Sequence, residues 1–123
     1  MAFSRVALFD VLRSLVYSST SATYAKLGTA LTHNPRSFCI TNNTDGDMFI
    51  AVTNGATPAS DGTADNLFIP ASGFRLYDVS SNAGSQTNAP PFVLQRGDQI
   101  WVRYSSSPSK NSIYFENLYA AGE

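Results

Sequence analysis

Residues 37–52 read S-F-C-I-T-N-N-T-D-G-D-M-F-I-A-V, and this stretch decides the fold class. Apolar residues alternate with their neighbours on both sides of the Asn-Asn-Thr-Asp-Gly-Asp segment. Because side chains in a strand point to opposite faces with period two, the stretch predicts two strands, each with one apolar face. Gly46 and its Asp and Asn neighbours favour a tight hairpin between the two strands, with Gly46 at positive φ.

The same pattern continues to the C-terminus, where short apolar runs are separated by segments rich in Gly, Pro, Asn, Asp and Ser. Strands are predicted at 36–42, 48–53, 67–69, 74–79, 92–94, 99–104 and 112–119. Since no helical pattern is long enough for a parallel crossover, the sequence predicts an all-β fold, an antiparallel β-sandwich or jelly roll of about 7–8 strands. The predicted sandwich domain is 36–123.

The first 35 residues differ from the rest. Large apolar residues recur about every three positions in Phe3, Val6, Phe9 and Leu12. This spacing predicts a short amphipathic helix. Beyond it the chain is rich in hydroxyl and small side chains, with Tyr24 among its few large apolar groups. We expect 1–35 to be an N-terminal arm that docks on a neighbouring chain; the alternative is an ordinary first strand of the sandwich with its connections.

Composition restricts the classes of partner. The chain is 43% hydrophobic and 14% charged, with a net charge of −1, so nothing drives it toward nucleic acid or an anionic membrane. Its one cysteine, Cys39, rules out an intrachain disulfide. Charged residues interrupt the N-terminal apolar positions and no apolar run approaches about 20 residues, so we expect no signal peptide, no membrane span and synthesis in the cytoplasm.

Catalytic chemistry has little support. His33 is the only histidine, in a turn-like T-H-N-P segment, and no G-x-S-x-G motif accompanies it. We therefore predict no catalytic residues, no cofactor and no metal. Asn43, Asp45 and Asp47 alternate as calcium ligands do, although the glycine is misplaced for that motif and a turn explains the same residues. The triplet that begins at Asn42 matches a glycosylation sequon, which we interpret as a turn.

The C-terminal strands carry large side chains on both faces. Trp101 and Arg103 lie opposite the apolar face of their strand, and Tyr114 and Leu118 do the same on the last strand. A second large face predicts a covering layer, and a subunit interface is enriched in such residues. The predicted interface residues are Phe3, Val6, Phe9, Leu12, Tyr24, Trp101, Arg103, Tyr114 and Leu118. The long loops at 53–66 and 80–91 are also expected to lie on a neighbouring subunit.

Three segments together resemble small structural proteins of tailed-bacteriophage virions. They read R-S-F-C-I-T-N-N-T-D-G-D-M-F-I-A-V, L-Y-D-V-S-S-N and G-D-Q-I-W-V-R-Y-S-S-S-P-S-K-N-S-I-Y-F, within residues 24–119. The resemblance implies a β-sandwich or jelly roll that assembles as a trimer or ring. It also implies a place in the virion, with the major capsid protein or portal and tail proteins as partners and no catalytic residues.

The sequence therefore favours a non-enzymatic virion protein that decorates or cements the capsid through subunit packing. One alternative is a head-to-tail adaptor, neck or tail ring component of a phage. An alternative of another class is a carbohydrate-binding β-sandwich module, although both long loops lack the Trp and Tyr platforms that such a module presents.

Overall fold

A computed structural model describes residues 7–78 and 94–120 of the chain, which form two antiparallel sheets. The described residues contain nine strands: β1 (Ala7–Phe9), β2 (Arg13–Val16), β3 (Ala25–Lys26), β4 (Ser37–Asn42), β5 (Met48–Thr53), β6 (Leu67–Ile69), β7 (Phe74–Asp78), β8 (Gln99–Tyr104) and β9 (Ser112–Ala120). The only helical element in these ranges is the 3₁₀ turn Tyr17–Ser19. No helix of the described residues is long and apolar enough to cross a membrane.

The strand order is that of a jelly roll. The five-stranded sheet runs β1-β9-β4-β7, with β2 also paired to β9, and the four-stranded sheet runs β3-β8-β5-β6. The pairs β5·β6, β4·β7, β3·β8 and β2·β9 are those of one long hairpin, which folds over so that β4 also meets β9 and β5 meets β8. The predicted all-β antiparallel sandwich is therefore confirmed.

The core lies between the sheets and is built by the predicted alternation. Phe38 and Ile40 of β4 are buried, and every second residue of the opposing strands is buried against them. These residues include Met48, Ile50, Ile69, Ile100, Val102, Ile113 and Phe115. The predicted strand at 92–94 falls outside the described residues except for Leu94, which is buried but not in a strand.

The predicted hairpin at 42–48 is wrong. β4 and β5 do not pair; they belong to different sheets, and the segment between them crosses from one sheet to the other. Each strand turns its apolar face into the same core, and the same turn residues serve a crossing as well as a hairpin. Gly46 is not among the glycines with positive φ. Instead, a Cβ at Gly46 would lie 2.3 Å from the backbone oxygen of Ser106, so the glycine is required by a close approach of two loops.

Asn42 organises this crossing. It is fully buried, and its Nδ2 donates to the carbonyl of Gly46 at 2.8 Å and to the carbonyls of Ile69 and Pro70 at 3.2 Å. Its Oδ1 accepts hydrogen bonds from the N–H and hydroxyl of Thr44. The amide that a glycan would modify is therefore occupied inside the protein.

The predicted division into an arm at 1–35 and a domain at 36–123 needs correction for the described part of the arm. β1 and β2 pair with β9, and β3 pairs with β8, so the segment contributes strands to both sheets. Leu27 and Leu31 belong to the central core. The helix expected here is also wrong within 7–16, because pairing with β9 satisfies the backbone and the apolar residues share no buried face.

A buried ion pair holds two loops of this N-terminal region together. Arg13 is 2% exposed, and its guanidinium donates to the carbonyls of Thr29, Val11 and Ala30 at 2.6, 2.8 and 2.8 Å. Asp10 lies 3.6 Å from the Arg13 guanidinium. Because every one of these acceptors lies within the first 35 residues, the cluster locks two N-terminal loops together beside β9.

The Asp10 carboxylate is well satisfied. Thr32 donates to it at 2.6 Å, the N–H of Val11 at 2.7 Å and the Asn117 amide at 3.1 Å. Burial alone raises the pKa of Asp10. Hydrogen bonds from Thr32 and the Val11 N–H and the charge of Arg13 outweigh burial, so the pKa falls from 3.8 to about 2. The carboxylate is therefore ionised at neutral pH, and its contacts hold the described part of the N-terminal region in place.

Candidate docking surface

The sandwich has two outer faces, and they differ in what covers them. We call the outward side of β3, β8, β5 and β6 the covered face; its members are Lys26, Phe49, Ala51, Phe68, Trp101 and Arg103. We call the outward side of β1, β2, β9, β4 and β7 the open face; its apolar members are Phe9, Val16, Phe74, Leu76, Tyr114 and Leu118.

Trp101 is the centre of the covered face. It is 5% exposed and packs in a cluster with Tyr24 and Ala51, against which Phe49 and Ala64 also lie. Its indole Nε1 donates to the Thr53 hydroxyl at 2.8 Å. The covering residues come from the segment before β3 and from the loop 53–66, so the chain itself buries the indole.

Arg103 secures the loop on this face. Its guanidinium donates to both carboxylate oxygens of Asp65, at 3.1 and 2.6 Å. The same guanidinium lies 4.6 Å from the Phe49 ring centroid and 5.6 Å from that of Tyr24, and the Tyr24 hydroxyl donates to Asp65. The hydrogen bond from Arg103 holds the pKa of Asp65 below its usual range, and burial with the Asp65 contact raises the pKa of Tyr24.

This geometry corrects the expected position of the loop 53–66. The sequence predicted that the loop lies on a neighbouring subunit, whereas the structure lays it on its own four-stranded sheet. Besides Asp65, the Ser60 hydroxyl accepts the Tyr24 N–H at 3.0 Å. The covering layer predicted for Trp101, Arg103 and Tyr24 is therefore intramolecular. The other long loop, 80–91, lies outside the described residues.

On the open face, large apolar side chains point into solvent. Phe9 is 76% exposed, Phe74 61% and Leu76 66%. The register aligns them in rows across the sheet: Phe9 sits beside Leu118, and Phe74 shares a row through Thr41 with Tyr114. Tyr114 and Leu118 are half-buried. Together they form an apolar surface that no described part of the chain covers.

Strand β7 contributes much of this surface, because it turns its apolar residues away from the core. Arg75 and Tyr77 oppose Ile40 and Phe38 on the inner side, so Phe74 and Leu76 turn outward. Tyr77 fits because its ring packs 5.3 Å from that of Phe38. The strand thus exposes its most apolar residues, which is the arrangement expected of a surface that meets a partner.

The charges on the open face have one sign. Glu116 lies in the middle row with Cys39 and Leu76, and Asp78 lies in an end row with Ser37. The remaining outward positions in the described strands hold Ser, Thr, Cys or Ala, so this face carries no Lys, Arg or His there. Glu116 is exposed and has no hydrogen bond or ion pair within the described residues.

The predicted interface residues are divided between these regions. Phe9, Tyr114 and Leu118 come together on the open face, and Leu12 is exposed in the segment that joins β1 and β2. Tyr24, Trp101 and Arg103 belong to the covered face. Phe3 and Val6 lie outside the described residues. Sequence reasoning missed Phe74 and Leu76, because their strand alternates large residues on both sides and only the register shows which side turns outward.

The groups considered for chemistry have structural contacts. His33 stacks on Tyr119 with ring centroids 3.6 Å apart, and its Nδ1 lies 3.2 Å from the Thr32 hydroxyl. No serine hydroxyl is bonded to it among the described residues. It lies at the edge of the Asp10 cluster, which attaches the N-terminal region.

The acidic loops are occupied in the same way. Asp45 accepts hydrogen bonds from the backbone N–H and hydroxyl of Ser109, which lower its pKa. Asp47 accepts the N–H of Ala71 at 2.9 Å. Within 7–78 and 94–120, no group of three or more His, Cys, Asp or Glu is placed to hold a metal ion. These carboxylates join neighbouring loops.

Comparison of the chain with family models, with curated proteins and with solved structures found no match.

Proposed function

We propose that this chain is a non-enzymatic structural protein of a phage particle, which decorates or cements the capsid through its open face. The observation that carries the proposal is the exposed apolar surface formed by Phe9, Phe74, Leu76, Tyr114 and Leu118. Fully burying a Phe or Leu side chain stabilises an association by roughly 1.5–3 kcal/mol. A surface with several such residues gains most when a partner covers it.

The size of the open face favours a repeated contact. Four strand positions at about 4.8 Å and some six residues at about 3.3 Å give an area of roughly 400 Å². A standard interface buries about 800 Å² on each partner, so one such contact is weak by itself. Where copies on a particle also contact one another, contacts that are weak singly become stable together.

The fold agrees with this role but does not assign it. Jelly rolls build many viral capsid domains and also lectins and other proteins, so function has to come from a site. A lectin would expose aromatic and acidic residues together. Here such residues make internal contacts: Trp101 is buried and Asp65 is paired with Arg103. The open face offers large apolar side chains, with Glu116, Asp78 and several hydroxyl side chains among them.

The test is incorporation into particles. Particles purified from a host that expresses the gene should contain the chain in a fixed ratio to the shell protein, as measured by quantitative mass spectrometry. The double variant Phe74→Thr/Leu76→Thr should be lost from the particles. The control Phe68→Thr, which removes an aromatic side chain from the other sheet, should be retained. A chain absent from purified particles, or a double variant incorporated like the wild type, would overturn the proposal.

A further inference from the structure

We propose that the open face binds a different protein chain, which presents a Lys or Arg side chain to Glu116. This inference rests on the proposed function and adds the chemistry of the partner. It follows from the position of Glu116, from the charges of the whole face and from the way the chain covers its other sheet.

Glu116 stands where a partner must cover it. In the β9 strand it lies between Tyr114 and Leu118 on the outward side, and across the sheet it is aligned through Cys39 with Leu76. An apolar partner that packs on these neighbours removes water from the carboxylate. A buried carboxylate without a partner is strongly unfavourable, so whatever covers the face has to supply a donor, and a cation is the strongest one.

A second copy of the same face does not supply that cation. In a two-fold dimer whose open faces overlap fully, each residue of the open face meets another residue of the same face. The charged members of this face are Glu116 and Asp78, and its described outward positions include no base. A dimer that stacks these described positions on one another would therefore bury Glu116 against an apolar group, a hydroxyl, a thiol or another acid. The homo-oligomer expected from the sequence would have to use another surface.

The covered face shows the arrangement that the open face lacks. There an apolar sheet surface carries Arg103 at its centre and Lys26 on its outer strand, and the covering loop brings Asp65 to Arg103 with two hydrogen bonds of 3.1 and 2.6 Å. The aromatic rings of Tyr24 and Phe49 lie around the pair. The open face has the same design with the sign reversed: an acid among apolar residues, without the layer that would pair it. A partner's Arg fits best, because its planar guanidinium binds a carboxylate through two parallel hydrogen bonds.

The experiment measures the return of purified chain to particles assembled without it. Four purified chains are added to these particles: wild type, Glu116→Gln, Glu116→Lys and the control Asp61→Asn. The control removes an exposed acid on the loop of the other face. Bound chain is quantified by co-sedimentation. Glu116→Gln should weaken binding about 10- to 100-fold through loss of a charge-assisted hydrogen bond, and Glu116→Lys more than that. Asp61→Asn should bind like the wild type. Because Glu116 and Asp61 are both exposed, each variant should keep the wild-type thermal midpoint.

The outcomes separate this inference from the proposed function. Binding that needs Phe74 and Leu76 but is equal or tighter in Glu116→Gln would overturn the cationic partner and leave the proposed function standing. No binding of wild-type chain would overturn both. Sedimentation of the purified chain alone supplies the remaining check: self-association that Phe74→Thr/Leu76→Thr abolishes would make a second copy the occupant and overturn the inference.

Discussion

The two outer faces of this jelly roll carry similar kinds of residue, but they differ in whether the described chain covers them. Each is a sheet surface with aromatic and aliphatic residues and one central charge, Arg103 on the covered face and Glu116 on the open face. On the covered face the loop 53–66 and Tyr24 bury Trp101 to 5% exposure and pair Arg103 with Asp65. On the open face Phe74 and Leu76 remain 61% and 66% exposed, and Glu116 has no partner in the described residues.

The difference separates residues that stabilise the fold from residues that are available for binding. Large side chains on both sides of a strand indicate that both sides are covered, but they do not tell which cover belongs to the chain itself. On the covered face, the loop 53–66 of the same chain supplies the cover. On the open face no described part of the chain covers the apolar residues, so we expect another molecule to cover them.

Trp101→Ala should cause the largest effect, and it tests the covered face. Truncating a buried Trp costs about 3–5 kcal/mol, so the free energy of unfolding of the isolated chain should fall by that amount. Chemical denaturation of the purified monomer measures it. Trp101→Phe, which keeps the packing and loses the hydrogen bond to Thr53, should cost about 1 kcal/mol. A change below 1 kcal/mol in Trp101→Ala would mean that the loop does not bury the indole.

Gly46→Ala tests the crossing between β4 and β5, which places the two faces on opposite sides of the molecule. The added Cβ would lie 2.3 Å from the Ser106 oxygen. Forcing these loops apart should cost about 3 kcal/mol, measured by thermal or chemical unfolding. Gly55→Ala is the control: it has positive φ and open space, so it should cost about 1–2 kcal/mol from backbone strain. Equal costs would show that the close approach is not the constraint.

Acid unfolding tests the attachment of the N-terminal region, whose Phe9 contributes to the open face. The folded pKa of Asp10 is about 2, below its ordinary 3.8. The folded state therefore gains stability that is fully present above pH 4 and is lost as the pH falls through 2. The gain is about 2 kcal/mol from the shift. In Asp10→Asn the free energy of unfolding should depend less steeply on pH between 4 and 2; an unchanged slope would contradict the role of this carboxylate.

The smallest effect on the isolated chain is expected on the open face. Phe74→Thr/Leu76→Thr removes two solvent-exposed side chains while keeping strand-favouring residues, so each substitution should change the free energy of unfolding by less than about 0.5 kcal/mol. Chemical denaturation beside the wild type checks this. A loss above 2 kcal/mol would show that another part of the chain covers these residues, and the two faces would then be alike.

Local alternation predicted most of the strands. The segments 48–53, 67–69 and 99–104 were predicted with the bounds that the structure shows, and those at 36–42 and 112–119 differ by one residue. The segment 74–79 agrees over its described residues, 74–78. The alternation also predicted which residues of β4, β5, β8 and β9 point into the core, because a period of two fixes which residues share a side. These properties depend on neighbours in sequence.

Properties that depend on distant residues were not predictable in the same way. The segment that crosses from β4 to β5 carries turn residues that fit a hairpin equally well. β1 and β2 became strands because β9, about a hundred residues later, pairs with their backbone. The burial of Trp101 depends on Asp65 reaching Arg103, and the outward turn of Phe74 depends on the register with β4. Of the candidate site, Phe9, Tyr114 and Leu118 were identified from sequence, whereas Phe74, Leu76 and Glu116 required the structure.

The most direct measurement of the proposed difference between the faces is hydroxyl-radical footprinting of the chain alone and of the chain on purified particles. In the isolated chain Phe74 and Leu76 should be strongly modified and Trp101 protected, since Phe74 is 61% exposed, Leu76 66% and Trp101 only 5%. On the particle Phe74 and Leu76 should become protected, with Trp101 unchanged. Modification of Phe74 and Leu76 that is the same in both states would contradict the assignment of the open face as the docking surface.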